Sequence, residues 1–179
     1  MIETLVEDEV RNELIFPSLF ANGVYVETGV FLGGNLLRVS DYINSKVLNT
    51  KVIGIDNFSF SNISVEAFAY YNIPMGQLSY LDLVKTNMTN YPADLINSDS
   101  ILALSTFEDW SIDTLFIDDD HNYEHIVRLL ETAIPKVNKG GIIIGHDWPN
   151  NGVSRAVKYV FGRTPDKISS SNGGYLYYL

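Results

Sequence analysis

Apolar and polar positions along the chain follow two alternating periods. Ile2, Val6, Val10 and Leu14 recur at helical spacing and predict a first helix near residues 2–14, inside a helical segment over residues 1–20. Gly23-Val-Tyr-Val-Glu27 is rich in β-formers and predicts a short strand. A glycine-bearing turn, residues 28–35, leads into helical spacing from Leu36 to Ile43. Lys51-Val-Ile-Gly-Ile55 predicts a second strand closing at Asp56, and residues 94–96 a third closing at Asn97-Ser-Asp-Ser100. Thr114-Leu-Phe-Ile117 predicts a fourth strand that runs into Asp118. Tyr123, Val127, Leu130 and Ile134 predict one face of a helix over residues 123–137, ended by Lys139-Gly-Gly141. Ile142-Ile-Ile144 is a buried-type strand closing at His146-Asp147, and residues 153–161 form a further helix. The tail from Lys167 predicts a β-hairpin around Asn172-Gly-Gly174.

Strands alternating with helices imply an α/β fold. The expected form is a doubly wound, Rossmann-like, mostly parallel sheet with a C-terminal antiparallel hairpin. In such sheets ligands bind at the carboxyl ends of the strands. Here those ends carry Glu27, Asp56, Asp118 and His146-Asp147. With 179 residues, a single domain over 1–179 is expected. Residues 61–90 are expected to cap the substrate, with Phe68, Tyr70, Tyr71, Met75 and Tyr80 lining an apolar pocket.

Charge and composition narrow the partners. A net charge of -10 repels phosphate backbones, so no nucleic-acid partner is expected. No apolar run is long enough to span a bilayer, so no membrane partner is expected either. The acidic start lacks the features of a signal peptide, which points to the cytoplasm. The chain has no cysteine, which excludes disulfides and thiolate metal sites. A homodimer is compatible with the sequence.

Two segments carry chemistry. The turn after Glu27 lets backbone approach a ligand and exposes a helix N-terminus, and Asp56 at the next strand end suits a ribose. Together they suggest a nucleoside-containing cofactor without separating NAD from S-adenosylmethionine. The run Phe116-Ile-Asp-Asp-Asp-His-Asn-Tyr-Glu124 crowds three carboxylates, which favours solvation or a cation. Asp119 and Asp120 read equally as solvated loop residues, with Asn122 as a helix cap. His121 shares the loop with the acids and suits general-base work, whereas His125 reads as structural.

These segments, with Val52-Ile-Gly-Ile-Asp-Asn-Phe58 and Gly140-Gly-Ile-Ile-Ile-Gly-His-Asp-Trp148, resemble class I S-adenosylmethionine-dependent methyltransferases. The nearest group is the bacterial one of macrocin-type and cephalosporin-hydroxylase-like O-methyltransferases. The resemblance implies that Glu27, Gly29, Gly33 and Asn35 surround the methionine end of the cofactor. It implies that Asp56 holds the ribose, that Asp99 and Ser100 border the adenine, and that Asp118 lies near the cofactor amine. Asp118, Asp147 and His146 would hold a divalent metal, magnesium or manganese, and His121 or Asp120 would take the proton from the substrate. The implied reaction is methyl transfer to a hydroxyl of a small molecule of sugar, natural-product or phenolic type. Two departures stand out: Asp119 occupies a position where the family usually has glycine, and His146 one where relatives often carry Asp or Glu. A metal-dependent phosphoesterase and a non-catalytic nucleoside-binding domain are the competing readings.

Overall fold

The computed structural model describes residues 4–59 and 79–179. The expected substrate cap therefore lies largely outside the described residues. A helical segment opens the chain: Asp8–Val10 (α1), a π-turn Arg11–Ile15 and a 3-10 turn Phe16–Ser18. Residues 4–7 precede it and are not helical, so the helix starts later than the apolar spacing predicts. Val6, Val10 and Leu14 are nonetheless all buried, as that spacing requires.

Five strands then run parallel. They are Val24–Thr28 (β1), Lys51–Asp56 (β2), Asp94–Asn97 (β3), Ile112–Ile117 (β4) and Val137–Gly145 (β5). The tail supplies Lys167–Ile168 (β6) and Tyr175–Tyr178 (β7), which pair antiparallel with each other, while β7 also pairs antiparallel with β5. The sheet order is β3-β2-β1-β4-β5-β7-β6. The strand order reverses beside β1, the switch point where open α/β sheets bind ligands.

Alternation along each strand divides the core in two. Tyr25, Phe116, Ile142, Ile144 and Leu176 face one side, where they pack against the N-terminal segment, Gly34–Ser45 (α2) and Tyr80–Asn87 (α3). Val26, Leu115, Ile117, Ile143 and Tyr177 face the other, packed by Ser100–Ser105 (α4), Tyr123–Ala133 (α5) and Asn151–Phe161 (α6). Burial on both faces explains why the strands read as continuous apolar runs.

Two expectations need correction. The buried face of α5 is Ile126, Leu129, Leu130 and Ala133, while Tyr123, Val127 and Ile134 sit at its half-buried margin. The helix stops before Pro135, which lies in a short 3-10 turn. Lys139-Gly-Gly141 does not terminate a helix but lies within β5. A Cβ on Gly141 would come within 2.6 Å of Val137 and 3.0 Å of the Asp113 carbonyl, so glycine serves a close approach of two strands. The β4–β5 register shifts at that level.

Candidate functional site

The register brings the carboxyl ends of the parallel strands to one rim. Thr28 is level with Ile55 and Ile117, and Ile117 with Gly145. One further backbone hydrogen bond fastens each exit to its neighbour: Gly29 N–H to Ile55 (3.0 Å), Ser98 to Asp56 (3.0 Å), Asp118 to Thr28 (3.0 Å) and His146 to Ile117 (2.9 Å). The side chains that follow are thus placed by sheet geometry.

A cavity of about 920 Å³ opens over this rim. It gathers Glu27, Gly29, Asn35, Asp56, Asp99, Ser100, Asp118, Asp120, His121, His146 and Asp147. Gly33, also expected there, does not line it. Gly33 caps α2 in the left-handed conformation (φ 84°), with its open side toward Val84 and Met88. Its part is to shape the turn. Gly29 (φ 79°) is more constrained, because a Cβ there would lie 1.8 Å from the Asp118 carbonyl oxygen. That glycine lets the exits of β1 and β4 touch.

At the inner end, Glu27 is almost fully buried. It accepts hydrogen bonds from Tyr25 Oη and Asn35 Nδ2, both at 2.8 Å. Burial pushes its carboxyl up to about 8, against the pull of those two donors. Beside it, Asn35 Oδ1 is buried and has no partner among the described residues. A carboxyl group next to an unsatisfied amide oxygen suits an incoming ammonium group, whose positive charge favours the ionised form of Glu27. Asp56 accepts from the backbone N–H of Phe31 (3.1 Å) and Phe58 (2.8 Å). Those bonds leave it lone pairs toward the cavity. The residues present therefore fit an amino-acid-bearing nucleoside.

At the outer end the acids divide by role. Asp119 is not solvated: Ser100 Oγ donates to it and His125 Nε2 lies 3.3 Å away. This pairing links α4 and α5 to the β4 exit. Asp120 accepts from the backbone of Asn122 (3.0 Å), and Asn122 caps α5 through Glu124 N–H (3.0 Å). His121 Nε2 lies 2.7 Å from Asp147 Oδ2. Asp147 itself sits at φ 57°, a strained position that aims its carboxylate back at the cluster.

Asp118, His121 and Asp147 offer one ligand atom each, all within 4.8 Å of one another. Two oxygens and one nitrogen fit a magnesium- or manganese-type ion. His146, expected as a ligand, is engaged otherwise. Its Nδ1 faces Asp147 (3.0 Å) and Asp118 (3.4 Å), and its Nε2 faces Glu7 (2.7 Å). Burial would depress its pKa, but the three carboxylates outweigh burial and carry it up to about 11. Both of its nitrogens thus face carboxylates, and the three ligand atoms that gather here come from Asp118, His121 and Asp147. Asp147 is held below its ordinary range by His146 and His121, in spite of burial.

Sequence reasoning missed the wall formed by Thr4, Leu5 and Val6, and the contribution of Asn57 and Ser59, whereas Tyr80, expected to line a pocket, does line this one. The helical spacing around Val6 identified a core residue there but carried no sign that its neighbours face a cavity.

The fold has known counterparts. The O-methyltransferase NovP superposes with a TM-score of 0.63 at 18% identity, over 96% of this chain and 75% of NovP. CalS11, a TDP-rhamnose 3'-O-methyltransferase of calicheamicin biosynthesis, gives 0.65 at 16% identity, over 96% and 78%. A precorrin-6y C5,15-methyltransferase from Geobacter metallireducens GS-15 gives 0.62 at 14%, over 88% and 72%. At such identities the likeness is one of fold. No curated protein sequence matches the chain. Residues 26–148, which run from β1 through every strand exit around the cavity to Trp148, match the family described as a methyltransferase domain. The chain belongs to that methyltransferase-domain family.

Proposed function

We propose that this protein transfers the methyl group of S-adenosylmethionine to a hydroxyl oxygen of a small molecule, of the sugar, natural-product or phenolic type, with help from magnesium or manganese. The observation that carries the reading is one cavity in which the Glu27–Asn35 pair and Asp56 stand beside the Asp118–His121–Asp147 cluster. Oxygen as the acceptor atom is supported by NovP and CalS11, whose names print O-methyl transfer.

The bound cofactor supplies a methyl group on a sulfonium, already a good electrophile. The chain's own residues bind and align. Asn35 Oδ1 and the Glu27 carboxylate accept from the ammonium group. Asp56 accepts from the ribose hydroxyls. Asp99 and Ser100 border the adenine. Asp118, His121 and Asp147 would hold the divalent ion, whose chemistry is to polarise a hydroxyl and favour its alkoxide. Asp120, at the mouth, is then the base. Without the ion, Asp147 accepts at His121 Nε2 and leaves Nδ1 with the lone pair that receives the proton. Alignment of both reactants supplies much of the acceleration.

Calorimetry tests the cofactor half. S-adenosylmethionine and S-adenosylhomocysteine should bind the parent, and Asp56→Ala should weaken both by at least about tenfold. No heat at high-micromolar ligand, or equal binding by the variant, overturns the reading. Transfer of labelled methyl to hydroxyl acceptors tests the chemical half.

A further inference from the structure

We infer that the methyl acceptor is a neutral or cationic hydroxyl compound, and that phosphorylated or nucleotide-linked acceptors are turned away. This rests on the methyl-transfer reading above. Besides Glu27, the cavity is lined by Asp56, Asp99, Asp118, Asp119, Asp120 and Asp147, and among the described residues no lysine or arginine lines it. Residues 60–78 contain no lysine or arginine in their sequence, so that segment brings no such cation to the site in any conformation.

Several cations elsewhere are committed. Arg11 pairs with Asp8, Lys51 with Asp94, Lys136 with Asp109 and Arg163 with Asp166. The three histidines at the cavity already face carboxylates: His121 faces Asp147, His125 faces Asp119, and His146 lies between Glu7, Asp118 and Asp147. The cofactor brings one net positive charge, from a sulfonium and an ammonium against one carboxylate, and a divalent ion brings two. Counted with His146, these still leave the six aspartates in excess.

A phosphate entering this space meets uncompensated negative charge. The apolar wall of Leu5, Val6, Val30 and Ile55 keeps the repulsion from being screened as it would be in open water. A neutral polyol finds acceptors for its hydroxyl protons, and an amino sugar or aromatic amine finds charge compensation as well. CalS11, whose name prints a nucleotide-linked sugar, would differ from this chain in that respect.

The experiment offers paired acceptors to enzyme supplied with labelled S-adenosylmethionine and magnesium: methyl rhamnoside with TDP-rhamnose, glucosamine with glucosamine 6-phosphate, and catechol with catechol phosphate. The neutral or amine member of a productive pair should exceed its phosphorylated partner in kcat/KM by about a hundredfold at low salt. The gap should narrow as ionic strength rises. Leu5, 58% exposed on the cavity wall, provides the gain-of-function test. Leu5→Lys should raise the phosphorylated-to-neutral ratio of kcat/KM by at least about fivefold. Phosphorylated members used as well as their partners overturn the inference. So does transfer to no member by enzyme that binds the cofactor calorimetrically. Failure of the cofactor itself to bind overturns the methyl-transfer reading instead.

Discussion

Glu7 Oε2 lies 2.7 Å from His146 Nε2, which fastens the segment before α1 to the exit of β5 across 139 positions of sequence. The same imidazole reaches Asp147 through Nδ1, so Glu7, His146, Asp147 and His121 form one continuous chain of contacts. Glu7→Ala should cost about 1 kcal/mol, because a half-exposed partner of a charged donor is lost. Glu7→Gln should cost less, since an acceptor persists. Hydrogen exchange over residues 4–10 should rise in the alanine variant, and transfer activity should fall with cofactor binding intact. Unchanged exchange would mean that packing of Val6 and Val10 alone holds the segment.

Gly29 and Gly33 both have positive φ, but their surroundings differ. Gly29→Ala drives a Cβ into the Asp118 carbonyl, and neither backbone can step aside. A loss of at least about 2 kcal/mol is expected, together with weaker cofactor binding as Asp118 is displaced. Gly33→Ala meets only the ends of Val84 and Met88 at 3.4–3.5 Å, so conformational strain of about 1 kcal/mol is the whole expected cost. Urea denaturation of both variants checks the order, and equal costs would contradict the contact between the β1 and β4 exits.

Glu27 gives a pH signature. Burial holds its folded pKa at about 8, above the ordinary 4.5. The unfolded chain therefore releases this proton first, and the stability linked to it is complete below pH 4.5 and lost as pH rises through about 8. Glu27→Gln keeps the shape and removes the titration. Its melting temperature should depend less on pH in that window than the parent's. Cofactor affinity of the parent should rise over the same window, as the carboxylate that faces the ammonium ionises. Parallel melting curves for parent and variant would show that Glu27 is ionised throughout.

Much of this site was legible because a parallel sheet collects its strand ends. Glu27, Asp56, Asp118 and Asp147 each follow an apolar run, and the register alone carries them to one rim. Side-chain partnership was not legible. Nothing periodic links Glu7 to His146, or distinguishes Asp119, bound to Ser100 and His125, from its exposed neighbour Asp120. The length of β5 was hidden for a related reason. Gly140-Gly141 reads as a terminator unless the backbone of Asp113 is known to pass beside it.

Asp147 Oδ2 is within reach of His121 and His146 at once, and Asp118 Oδ1 stands 3.4 Å from His146. Two chemistries compete for this geometry. An ion drawn to Asp118, His121 and Asp147 takes His121 as a ligand and leaves Asp120 as base. A His121–Asp147 pair without an ion is instead a base oriented by a carboxylate. We expect the ion. Several acids converge here, and His146 alone offsets only part of their repulsion. Activity should fall with chelator and return with magnesium or manganese. Asp147→Asn should remove that response along with most of the activity, and Asp120→Asn should lower kcat by about a hundredfold with KM little changed. His121→Ala should weaken the metal requirement's midpoint rather than abolish transfer. Full activity in chelator, with His121→Ala inactive and Asp120→Asn unaffected, would assign the proton to His121 Nδ1 and leave the two aspartates as its electrostatic support.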